Sequence, residues 1–229
     1  MRKVFNTLNK QEKILYIVSL FVVGFSCLLS AMHNIWIIFA CLLGVTALIF
    51  VAKGYVIGQI LTALFALVYG VVSYDLHYYG EMITYLGMSA PIALLSAYTW
   101  WKHPYKDSKE VEVYTLSKKD IIVTFVLALL VTFIFYFILK WLNTSEMFFS
   151  TMSITTSFLA CYLTYLRSPY YALGYSANDI VLIILWILAS IKDPANIPMI
   201  FCFVMFLVND VYGFINWKRM SKRQKEENV

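Results

Sequence analysis

The stretch IIVTFVLALLVTFIFYFIL, residues 121–139, contains no charged side chain. As a helix rising about 1.5 Å per residue it is long enough to cross the ~30 Å hydrocarbon core of a bilayer. Hydrocarbon offers no water to satisfy backbone N–H and C=O groups, so an open-ended segment in it must be helical. Seven further apolar runs lie on either side, at residues 14–31, 35–52, 55–73, 82–100, 147–166, 175–191 and 197–217. The expected fold is therefore all-α integral membrane, with eight transmembrane helices.

Composition agrees. The chain is 61% apolar and 14% charged, against about 45–50% and 25% in soluble domains. The formal charge of +5 does not indicate a nucleic-acid partner, because the basic residues sit in short clusters between apolar runs. They alternate. Sixteen of the eighteen Lys and Arg fall before the first run, after each even-numbered run and in the tail, and only Lys140 and Lys192 fall on the opposite side. Positive loops stay cytoplasmic, so both termini are expected in the cytoplasm of a multi-pass protein of the cell inner or plasma membrane.

The basic start resembles a signal peptide, but no small-residue cleavage site follows it, and run 14–31 is read as a retained helix. The connector 101–120 mixes both charge signs and reads as a solvated loop, and within the cytoplasmic tail 218–229 the string SKRQKEENV, residues 221–229, reads as a disordered or surface end. Cys27, Cys41, Cys161 and Cys202 lie inside apolar runs without ligand spacing and read as packing residues. His33, His77 and His103 are loop residues. No metal site, cofactor motif, catalytic pair or phosphate loop is found, so an enzyme is not expected.

An internal repeat divides the chain. GYVIGQI from Gly54 matches GYSANDI from Gly174, and the runs that follow, from Met82 and Met199, both open on Met-Ile and close on Trp. The repeat makes residues 35–100 and 147–217 two parallel three-helix units, with 121–139 as a linker helix and 14–31 as an added helix. Parallel repeats of this kind bind substrate near the midplane where the units meet.

Ionisable residues inside spans are costly and usually face a partner or a polar path. Asp179 and Asp210 are the two clear cases, each preceded by an Asn (Asn178, Asn209), with Gln59 opposite Asp179 in the repeat. Interfacial snorkelling or helix bridging competes with a site role for all of them. Trp186, Tyr69 and Tyr212 offer aromatic faces, whereas Trp36, Trp100, Trp101, Trp141 and Trp217, at run ends, read as an interfacial belt. Thr155 and Thr156 are weaker candidates. No run contains Lys or Arg, which disfavours a phosphate-bearing solute and suits a neutral or cationic, ring-containing, hydroxylated one.

Three segments then carry a family resemblance: YYGEMITYLGMSAPIALLS from Tyr78, SPYYALGYSANDIVLIILW from Ser168 and FLVNDVYGFINW from Phe206. They resemble the PnuC-type nicotinamide riboside transporters over nearly the whole chain. The resemblance implies a three-plus-one-plus-three core related to the SWEET sugar transporters, sometimes preceded by an extra helix, and often a homotrimer. It implies facilitated diffusion with alternating access, and a cytoplasmic nicotinamide riboside kinase that traps the vitamin and feeds NAD synthesis. On matching positions it assigns Asn178 and Asn209 to ribose or carboxamide hydrogen bonds, and Trp186 and Tyr212 to stacking or gating. The expected substrate-binding set is Gln59, Asn178, Asp179, Trp186, Asn209, Asp210 and Tyr212. A thiamine or riboflavin carrier, or a non-transporting membrane scaffold or sensor, remains the alternative.

Overall fold

The computed structural model describes residues 7–29, 35–75, 79–144 and 146–227, and the side chains of 27–29 and 75 lie outside the description. The last residues of the first expected span, together with Arg2, Lys3, His33 and His77, fall outside it, as does the Cys27 side chain. The long helices are α1 (Lys10–Leu29), α2 (Ile35–Ala52), α3 (Val56–Asp75) and α4 (Tyr79–Lys102), then α5 (Lys118–Trp141), α6 (Met147–Tyr165), α7 (Tyr171–Lys192) and α8 (Ile197–Glu226). Among the described residues seven of them, α2 to α8, are long and apolar enough to cross a membrane.

Local chemistry sets several of the ends. α5 begins at a capping box in which Ser117 Oγ accepts from the Asp120 N–H and the Asp120 carboxylate accepts from the Ser117 N–H. The α2–α3 turn needs Gly54, whose φ of +69° suits glycine. Within α4 the backbone widens to a π turn over Tyr85–Ser89, just before Pro91. Proline has no N–H to return to the preceding turn, and π turns of this kind collect at functional sites.

Packing is sequential within two groups: α3 against α2 and α4, and α7 against α6 and α8. The groups join where α8 meets α2 and α4 meets α6, while α3 and α7 face each other across the interior without an extended contact. α5 packs chiefly on α6, with Leu139 also reaching Gly80 of α4, and its outer face (Leu129 is 68% exposed) stays apolar. α1 lies against α2 and α8. Its Glu12, 1% exposed, pairs with Lys53 at 3.0 Å and accepts from the Tyr212 hydroxyl at 3.0 Å.

Three expectations are corrected. Trp100 and Trp217 are fully buried rather than interfacial, because each indole N–H finds a carbonyl inside the protein: Thr164 O at 3.0 Å and Val51 O at 2.9 Å. The tail is helical through Glu226, held because buried Gln224 accepts from the Val113 N–H at 2.8 Å and donates to Val111 O at 3.1 Å. By the same bonds the 103–117 connector is docked on the bundle end rather than solvated: the Val111 N–H donates to Gly54 O, and Arg223 pairs with Glu110. The connectors carrying Lys53, Arg167 and the basic C-terminal turn of α8 thus meet at one end of the bundle, here called the basic end.

Candidate substrate site

Between α3 and α7, near mid-helix, lies a cavity of about 60 Å³. α3 supplies Gln59, Thr62 and Phe65; α7 supplies Tyr175, Asn178 and Asp179. α8 adds Asp210, and the π turn of α4 adds Tyr85 and Ser89. Four of the expected site residues, Gln59, Asn178, Asp179 and Asp210, are therefore brought together from three helices. Gln59 and Asp179, paired by the repeat, both line the cavity, although Gly54 sits in a turn and Gly174 within α7.

Asn178 is held by α6. Its Oδ1 accepts from Ser153, Thr156 and Ser157 at 3.2, 3.0 and 2.9 Å, while its Nδ2 makes no hydrogen bond to a described residue. The amide oxygen is thus fixed and two N–H donors remain available. Asp179 and Asp210 are both buried and both line the cavity, and Asp179 Oδ2 has no hydrogen-bond partner among the described residues. Tyr85, Tyr171, Tyr175 and Cys161 are the other titratable groups nearby.

The remaining expected residues lie elsewhere. Trp186 lies one level further from the basic end, beside Tyr69, in a separate outer cavity of about 270 Å³ that opens at the far end of the bundle. Asn209 and Tyr212 are on the α1 side of α8: Asn209 Nδ2 donates to Ser19 Oγ at 2.9 Å, and Tyr212 to Glu12. Neither lines the interior cavity. Thr155 turns to Thr132 of α5 at 2.8 Å, whereas Thr156 reaches Asn178.

Sequence reasoning missed Ser157, Ser89 and Glu81. The hydroxyl-rich string SITTSF offered a hint of the first. Ser89 sits on the π turn beside Pro91, a departure that hydrophobic periodicity does not reveal. Glu81 falls just outside the apolar run taken as the fourth span.

Comparison with known proteins adds the family. A family model described as nicotinamide mononucleotide transporter matches residues 34–219. The chain belongs to this family of membrane transporters. It is therefore a multi-pass membrane protein and not an enzyme, and the match covers α2 to α8 up to Arg219 while leaving α1 outside. Among curated proteins it is 27% identical over 190 residues to a protein named nicotinamide riboside transporter PnuC from Neisseria mucosa, covering 80% of this chain and 72% of that one. Among solved structures it superposes on the crystal structure of the vitamin B3 transporter PnuC with a TM-score of 0.83 at 23% identity, covering 95% and 94% of the two chains. That likeness establishes the fold.

Proposed function

We propose that the chain takes up nicotinamide riboside by facilitated diffusion, with the interior cavity exposed alternately to the two sides of the membrane. The observation that carries this reading is the polar part of the cavity lining: amides, hydroxyls, tyrosines and two carboxyls set among aliphatic and phenylalanine side chains, with no Lys or Arg among the lining residues. The family description speaks of the mononucleotide, whose phosphate calls for basic donors. The riboside has a pyridinium cation and ribose hydroxyls but no phosphate, and the name of the Neisseria relative agrees with it.

In this reading Asn178 Nδ2 and Gln59 hydrogen-bond the carboxamide or ribose, the Asp179–Asp210 pair balances the ring cation, and Trp186 offers a stacking face on the outer side. Asn209 and Tyr212 hold α1 rather than substrate. A cavity of about 60 Å³ has room for roughly two waters at about 30 Å³ each, so the bound state needs α3 and α7 to part. The Trp100–Trp217 contact is fully buried at the basic end while the outer cavity is open, which suits a carrier loading from outside.

The same proposal makes α1 an eighth span, α2–α4 and α6–α8 parallel repeats, and α5 the linker between them, as the pairwise packing supports. Both termini are cytoplasmic, by the charge alternation, in the plasma or inner membrane. A homotrimer would cover apolar faces such as that of α5. A facilitator concentrates nothing unless its product is trapped, and a cytoplasmic kinase adding a phosphate would create a species for which this cavity has no partner.

The test is calorimetric competition among nicotinamide riboside, its mononucleotide, thiamine and riboflavin for the purified protein. The riboside should bind tightest, and displacement of it by any of the other three at lower concentration would overturn the assignment. The carboxyl pair favours one variation, in which a proton moves with the solute. Uptake unchanged by an imposed pH gradient in proteoliposomes would remove that variation.

A further inference from the structure

The outer cavity holds polar groups that the interior site does not use. Its walls come from the start of α4 (Tyr79, Gly80, Glu81), the α5–α6 connector (Asn143, Thr144) and α7, with Trp186 among the lining residues. Glu81 Oε2 and Thr144 Oγ1 are buried without hydrogen-bond partners among the described residues. Two orphaned polar atoms in one cavity require an explanation, since buried polar groups are ordinarily satisfied. Glu146 and Lys192, the other charged lining residues, pair with each other at 3.4 Å on the exposed rim. Glu81 is thus the one lining acid without an ion-pair partner among the described residues.

Aromatic groups complete the setting. Trp186 packs in one cluster with Tyr69, whose ring centroid is 4.4 Å from that of Tyr85. An unpaired buried carboxylate is costly until a cation joins it, and aromatic faces attract the same cation through their quadrupoles. The cavity volume of about 270 Å³ is close to the lower end of the roughly 300–1,000 Å³ typical of small-molecule sites.

We propose that the outer cavity is a second binding station, in which Glu81 and the Trp186 face capture a compact aromatic cation and Thr144 bonds one of its hydroxyls before it moves to the interior cavity. This rests on the reading of the solute as a pyridinium riboside. The two stations differ in what they sense: the outer one selects for positive charge through a single carboxylate, the inner one for the hydrogen-bonding edge through Asn178 and Gln59.

The experiment uses the full chain in detergent and two probes, nicotinamide riboside and its uncharged dihydro form. Glu81→Gln should weaken binding of the cation about tenfold and leave the neutral form within about twofold, whereas Asn178→Ala should weaken both. Equal losses for both probes, or an unchanged cation affinity, would overturn the outer station while leaving the interior site standing. Wild-type protein that binds neither probe would remove the riboside reading, and the station with it. If Glu81→Gln does not fold, Lys192→Glu, a change at the exposed rim, provides the converse: tighter binding of the cation alone supports the station, and unchanged binding contradicts it.

Discussion

Trp100 and Trp217 pack at a ring-centroid separation of 5.2 Å, and each donates its indole N–H across to a helix of the other group, Trp100 to α6 and Trp217 to α2. The two contacts are alike in kind, since each joins the last helix of one packing group to the first helix of the other. Both rings are fully buried at the basic end. Replacing either Trp with Phe keeps an aromatic ring but removes one of two donors to its carbonyl, since Thr164 O also accepts from the Arg167 N–H and Val51 O from the Gly54 N–H, at a cost of about 0.5–1.5 kcal/mol. Denaturant unfolding in detergent should show that loss for Trp100→Phe and Trp217→Phe alike; a loss for only one would contradict that likeness.

The clamp on α1 gives a second prediction. Glu12 is 1% exposed, and it pairs with Lys53, 12% exposed in its side chain. Removing one partner of a buried pair costs about 3–5 kcal/mol, because the other charge is left uncompensated. Glu12→Gln should therefore speed hydrogen exchange across Lys10–Leu29 more than across α3. Unchanged protection of α1 would mean that its apolar contacts suffice.

Helix approach gives a third. A Cβ built on Gly174 would lie 2.8 Å from Ala160 Cα and 2.9 Å from Ala160 N, both backbone atoms that no rotamer change moves. Close helix crossings of this kind depend on small residues. Gly174→Ala should push α6 from α7, loosen the hydroxyls that hold Asn178, and cost about 1–3 kcal/mol as overpacking. Binding at wild-type affinity in this variant would contradict the link between that crossing and the site.

The helices were legible because an apolar run and the charge alternation around it report the same boundary: run 121–139 became Lys118–Trp141. What could not be read was which side of a helix turns inward. Asn209 and Asp210 are adjacent, yet a helix rotates about 100° per residue, so one meets α1 and the other the cavity. Trp100 and Trp217 looked interfacial because position along a span says nothing of burial across it. Glu81 was passed over because it precedes the apolar run, although the helix carries it to the outer cavity wall.

The C-terminal turn of α8 should be sensitive to acid. The Tyr105 hydroxyl, donating at 2.8 Å, and Lys106 at 3.3 Å hold the Glu227 carboxyl below the usual glutamate range. A depressed folded-state value means that these bonds stabilise the turn above the ordinary glutamate pKa and are lost as pH falls through the lowered one. Protease cleavage after Arg223, followed with an acid-tolerant readout, should become faster only in that acidic window, and Glu227→Gln should remove the dependence. A pH profile that is the same in both proteins would contradict it.

The central claim is that the interior cavity passes a riboside and not its phosphate, with Asn178 as a principal contact. Uptake of labelled nicotinamide riboside and of labelled mononucleotide into proteoliposomes tests it directly. Saturable riboside uptake, cut about tenfold by Asn178→Ala through the loss of roughly one charge-assisted or buried hydrogen bond, with mononucleotide excluded, is the predicted result. Mononucleotide carried as fast as the riboside, or riboside uptake unchanged in folded Asn178→Ala protein, would contradict it.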